Sequence, residues 1–279
     1  MLVLTTPAFG VLNEFQAASA VSKYQHSNEL ATVYGPYTYL NHPYFYIEFT
    51  RNGTKTGVVI IDGRTGNVVD IEAARKIAFT HHVLRDITET KSVETSEALT
   101  RYRQLSRELQ EKQDELNFLL MHPFLFLSTA ERNEIRDQRR AMANAERFYD
   151  AIIPHVEQIL TIERNVLNGS RSYENAIRYM EAYGNVAGAI DMHIEGLREA
   201  EKVLEADFGS ERIRYFSNDM RNFEQSLQRA VDRDIASMES RTQTVLNTVF
   251  ITIGLMAIGL TAILAGIVII VRSTKKKNL

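Results

Sequence analysis

The chain has no cysteine and no tryptophan, only 5 prolines, and 14 glycines in 279 residues. Without cysteine there are no disulfides, no thiolate nucleophile and no Cys-ligated zinc. The scarcity of helix breakers leaves room for long uninterrupted helices. No face is rich in charge of one sign: 32 basic residues stand against 35 acidic ones, a net charge of −3, so a nucleic-acid partner is not indicated. The sequence also lacks a phosphate loop, a nucleophile elbow, a dinucleotide fingerprint and an HExxH pair. The adjacent His81-His82 point about 100° apart on a helix, and no carboxylate set joins them or His193 and Glu195. No catalytic, metal or cofactor-binding residue is therefore assigned, and the expectation is a protein that is not an enzyme and needs no cofactor.

Charge is missing altogether from Thr242 to Val271, and Arg272, Lys275, Lys276 and Lys277 follow directly. About 20 apolar residues suffice to cross a bilayer core. The spacing predicts a transmembrane helix over 246–271 with a basic tail, 272–279. The positive-inside rule then puts that tail in the cytoplasm and the body outside, as a single-pass protein of the cell membrane. At the other end "MLVLTTPAFG" reads as the remnant of a signal peptide with no cationic leader, or as the frayed start of an amphipathic helix from Val11 to Ala31. Asn52 and Asn168 head Asn-x-Ser/Thr triplets at expected turns and are glycosylation candidates.

Within 11–90 the period shifts to two. Tyr44, Tyr46 and Glu48 alternate with Phe45, Ile47 and Phe49; Asn52-Gly53 supplies a turn, Gly57 to Ile61 a second strand, and Asn67 to Asp70 a third short one. A helix followed by "YFYIEFTRNGTKTGVVIIDGRTGNVVD", with its Ile61-Asp62-Gly63-Arg64-Thr65-Gly66-Asn67-Val68 turn, resembles a PepSY domain over roughly residues 12–80. The resemblance implies an extracytoplasmic binding module of a kind proposed to restrain peptidases.

From Asp70 the pattern is helical. No Gly or Pro falls between Asn67 and Pro123, so one long helix or two nearly continuous ones are expected, with Tyr102, Leu105, Leu109, Leu116 and Leu119 on one seam. Ser128-Thr129-Ala130-Glu131 is a capping box. The next helix carries a heptad from Ile135 through Met142, Tyr149, Ile152, Val156 and Ile159 to Val166, with Pro154 expected to kink it. A third runs from Arg171 to about Asp207, and a fourth shows Ile213, Phe216, Met220, Phe223, Leu227, Val231, Ile235 and Met238. The fold class that follows is α+β, mostly α. A small N-terminal helix and antiparallel hairpin precede an up-down-up-down four-helix bundle over 91–245, which continues into the membrane helix.

Two further features suggest contacts. Phe124, Leu125, Phe126 and Leu127 form an apolar row at a hairpin tip, either a plug for the bundle's end or a partner-docking patch. Gly259, Ala262 and Gly266 share a face suited to close helix packing. The expected role is binding: an adaptor or regulator whose partners are the lipid bilayer, another membrane or envelope protein, and a second copy of the chain. The alternatives are a tail-anchored, cytoplasm-facing coiled-coil tether and a sensor-type bundle signalling through a separate partner. A ligand-sized pocket in the bundle would favour the sensor.

Overall fold

A computed structural model describes the backbone of residues 10–122 and 127–277, and the side chains of that span except 216, 217 and 253–277. The order is α1 (Glu14–Ala20), β1 (Leu30–Tyr39), β2 (His42–Arg51), β3 (Thr54–Asp62), α2 (Ile71–Leu84), α3 (Glu89–Met121), α4 (Thr129–Leu167), α5 (Tyr173–Leu204) and α6 (Ser210–Lys277), with a 3-10 turn at Ser22–Tyr24.

The strands form one antiparallel meander, β1-β2-β3. Leu40-Asn41 and Asn52-Gly53 all take positive φ, which matches the right-handed twist of the paired strands in two-residue hairpin turns. Both faces of the sheet are covered, which is why β3 reads as a continuous Val58-Val59-Ile60-Ile61 run. Phe45, Ile47, Phe49, Val59 and Ile61 pack with Ala17, Val21 and Tyr24 on one side. On the other side Tyr37, Tyr46, Val58 and Ile60 join α2 and the long helices in one core. Each fully buried Ile, Val or Phe contributes roughly 1.5–3 kcal/mol.

Two expectations about the N-terminal unit change. β1 starts at Leu30, inside the helix that one reading carried from Val11 to Ala31, and a register shift between Tyr34 and Tyr37 carries the strand past Gly35-Pro36. The third strand expected at 67–70 shrinks to one bridge, Val68 with Ile61. Asp70 instead caps α2, its Oδ1 accepting from Ala73 N at 2.9 Å. An additional strand therefore stands between the first helix and the hairpin on which the PepSY resemblance was read.

The helix that begins after Asp70 breaks over residues 85–88 into α2 and α3. The α4 heptad faces inward as patterned, from Met142 to Val166, and the helix continues through Pro154. In the first half of α5 the core-facing stripe is Ala176, Tyr179, Ala182 and Val186, while Tyr173, Ile177 and Met180 are only half-buried. The long helices are not equal partners. α4 packs on α3 and α5, and α6 packs on α5, α2 and β3, but α3 and α6 do not pack closely. Between Leu109 and Ala141 no described residue is buried. Beyond those two residues α3 and α4 are a two-helix arm, about 18 Å long by the helical rise.

Among the described residues no helix is long and apolar enough to cross a membrane. This overturns the expected transmembrane helix over 246–271, and with it the placement as a single-pass protein of the cell membrane with its body outside. In α6 charged residues recur through Arg241, and of the eleven described side chains from Thr242 to Thr252 six are polar. Gly259, Ala262 and Gly266 are described only in the course of the α6 backbone, and residues 1–9 and Phe124, Leu125 and Phe126 lie outside the described residues.

Candidate functional sites at the α6 seam and in the bundle

α6 carries an apolar stripe, Leu227, Val231, Ile235 and Met238, into which Asp234, Ser237 and Arg241 are set at i, i+3 and i+7. At that spacing the three face the sheet together. Asp234 is 3% exposed and is surrounded by donors: Tyr46 Oη at 2.6 Å, Lys55 Nζ at 2.6 Å and His82 Nε2 at 2.7 Å. Burial by itself would raise its carboxyl; the bonds from His82, Lys55 and Tyr46 outweigh that and hold it at about 2. Two helical turns further on, Arg241 donates to Glu29 Oε1 at 2.9 Å, Glu29 Oε2 at 3.0 Å and the Tyr24 carbonyl at 2.8 Å, and its guanidinium lies 4.5 Å from the Phe49 ring centroid. The Arg241 bond, helped by Thr56, keeps Glu29 at about 2 against its burial. Gly57 makes this passage possible: a Cβ there would stand 2.1 Å from Arg241 Nε. Between the two ion clusters the Ser237 hydroxyl accepts from Val58 N at 3.2 Å, so α6 also closes part of the free edge of β3.

Behind this seam His81 stacks on Tyr46, centroids 3.8 Å apart and planes 11° apart, and its Nδ1 is 2.8 Å from Tyr37 Oη. Burial pushes the imidazole down to about 2, so it is neutral. Its Nε2 has no partner among the described residues. The two neighbouring histidines thus have separate jobs, one packed among tyrosines and one bound to Asp234. Among the described residues no group of three His, Asp or Glu is placed to hold a metal ion.

The second site is inside the bundle. All four long helices line a cleft of about 260 Å³: Thr95, Ala98 and Tyr102 from α3, Ile152, Val156 and Ile159 from α4, Tyr183, Val186 and Ile190 from α5, and Arg212 and Ile213 from α6. It lies where α3 and α6 stand apart. The wall is mostly apolar, while Arg101, Arg212, Glu94, Glu97 and Asp207 border the adjoining cleft between α3 and α6. Next to it is a polar cluster. Tyr179 Oη donates to Glu163 Oε1 at 2.9 Å, Tyr179 and Tyr183 are 4.7 Å apart by centroid, and Lys91 Nζ lies 5.7 Å and 5.9 Å from their rings. Glu163 is fully buried and its Oε2 has no hydrogen-bond partner among the described residues. Burial raises its pKa above the usual carboxylate value, partly offset by the Tyr179 bond.

Of the residues singled out from sequence, Leu127 is half-buried just before the Ser128 cap, Asn52 is exposed on the β2–β3 turn and Asn168 is exposed at the end of α4. None of them is in the seam or the cleft. Sequence reasoning missed Glu29, Lys55, His82, Asp234 and Arg241. The signal available was the intrusion of Asp234 and Arg241 into an otherwise apolar heptad. Compared with known proteins, the chain matches no family model, no curated protein and no solved structure.

Proposed function

We propose that the chain is a non-catalytic binding and regulatory module whose bundle takes up a small, mostly apolar molecule between α3 and α6. The observation that carries this is the cleft itself, apolar within and walled by all four long helices. α6 supplies its outer wall at Arg212 and Ile213 and is locked to the sheet at Asp234 and Arg241, so one continuous helix joins the two sites. An occupant that bound more tightly at one α3–α6 spacing would shift that spacing. The PepSY-like turn at Ile61–Val68 supports a binding role. So does the pairing of the seam's acids and bases with one another, which leaves no evident nucleophile or general base.

The test is a thermal-shift screen with aliphatic acids, aromatic amines and indoles, repeated on Val186→Phe, which fills the cleft. Stabilisers of the parent chain that lose their effect in the variant support the reading. Stabilisers that act equally on both, or a panel that stabilises neither, defeat it.

A second reading, an adaptor, is favoured by the arm. Phe118 is 64% and Met121 80% exposed near its end.

A further inference from the structure

A different cleft, of about 390 Å³, lies on the seam where β3, the end of α2 and α6 meet. Its charged and polar lining includes Lys55, His82, Arg85, Arg233, Asp234 and Ser237. Three permanent cations and an imidazole thus face a single carboxylate. Asp234 is already occupied, taking bonds from Tyr46, Lys55 and His82. Lys55 is committed in turn to Asp234 and, at 3.6 Å, to Glu48.

The two arginines differ. Arg85, just past α2, has only its Nε engaged, 3.5 Å from the exposed Asp86 beside it. Arg233 on α6 likewise uses only Nε, toward the Arg229 carbonyl at 3.3 Å. The terminal nitrogens of both guanidinium groups have no protein partner among the described residues, and both residues line the same cavity, Arg85 from the end of α2 and Arg233 from α6. A carboxylate is satisfied by one such fork, whereas a tetrahedral oxyanion has oxygens enough for two.

We infer that this cleft is a binding site for a phosphate group, free or as a small phosphate monoester, held between Arg85 and Arg233. The site is separate from the bundle cleft and does not depend on that cleft being occupied. The adjoining Asp234 cluster fixes α6, and with it Arg233, relative to α2.

Isothermal titration of the full chain with inorganic phosphate at constant ionic strength tests this, with acetate as the carboxylate arm. Holding ionic strength fixed matters because exposed charges are screened. Phosphate is expected to bind in about the millimolar range or tighter, and acetate more weakly. Arg85→Gln/Arg233→Gln is expected to weaken phosphate at least about tenfold, the scale of a lost charge-assisted bond. Arg229→Gln, outside the lining, should leave it unchanged. Far-UV circular dichroism verifies that each variant is folded. No phosphate binding by the folded parent, equal binding of acetate, or undiminished binding by the double variant would overturn the assignment.

Discussion

Asp234 and Glu163 are both carboxylates buried against α-helices in the same chain, yet their surroundings drive them in opposite directions. Asp234 meets three donors on the sheet side of α6 and is held ionised at about 2. Glu163 has Tyr179, Thr95 and Lys91 to favour its charge, yet one oxygen has no hydrogen-bond partner among the described residues and burial pushes the group upward. Around Asp234 the polar groups satisfy one another, whereas around Glu163 one buried oxygen goes without a partner among the described residues. A satisfied network fixes a geometry; an unsatisfied one beside a cleft leaves room for change.

The sharpest way to break the comparison is to unbalance the seam. Asp234→Ala leaves Lys55, His82 and Tyr46 without their common acceptor, and Arg241→Met strands the buried Glu29 carboxylate. Each should cost about 3–5 kcal/mol in urea unfolding, the scale for removing one partner of a buried ion pair. Replacing both charges, as Glu29→Leu/Arg241→Met, should cost less than Glu29→Leu and Arg241→Met alone added together. If additivity held instead, the two groups would not be acting as a pair.

Gly57→Ala tests the same lock without touching a charge. The new methyl must displace Arg241 Nε, and the guanidinium cannot move without loosening its bonds to Glu29 and Tyr24. A loss of about 1–3 kcal/mol is expected, the range of a broken buried hydrogen bond. Little or no loss would mean that Arg241 is free to shift.

Acid separates the two carboxylate environments. Glu29 and Asp234 have folded values near 2, below their ordinary 4.5 and 3.8. Their contribution is complete above those ordinary values and is lost as pH falls toward 2. Glu163 has the opposite sign: its folded value is raised, so it costs stability as pH rises through and beyond its ordinary value. Glu163→Gln keeps an acceptor for Tyr179 and removes the buried charge. It should be neutral or stabilising by about 1 kcal/mol at pH 7, and should leave the decline below pH 4.5 unchanged. A strongly destabilised Glu163→Gln would show that the carboxylate is needed in its charged form.

Much of the fold was legible because its signals are local. Asn52-Gly53 can form its turn from two residues, and Ser128 with Glu131 closes its capping box within one helical turn. The α4 heptad from Met142 to Val166 needs only a partner of matching period. β1 was hidden because Gly35-Pro36 reads as a breaker, and only pairing with β2 shows the strand passing it. The seam was hidden for a stronger reason. Arg241 and Glu29 are 212 positions apart, and neither residue's own surroundings announce the other. The absence of a close α3–α6 contact was equally out of reach, since the apolar stripes of both helices have the period of a closed bundle.

The arm provides the smallest expected effect. Phe118→Ser/Met121→Ser removes two large apolar side chains, which in a core would cost several kcal/mol. Here both are mostly exposed, and between Leu109 and Ala141 no described residue is buried. The surroundings they would lose are mainly water, so the change in unfolding free energy should stay within about 0.5 kcal/mol. A loss of 2 kcal/mol or more, on the scale of a buried side chain, would show that the tip covers apolar surface in the folded chain. It would then resemble the interior of the bundle, and the adaptor reading would lose its support.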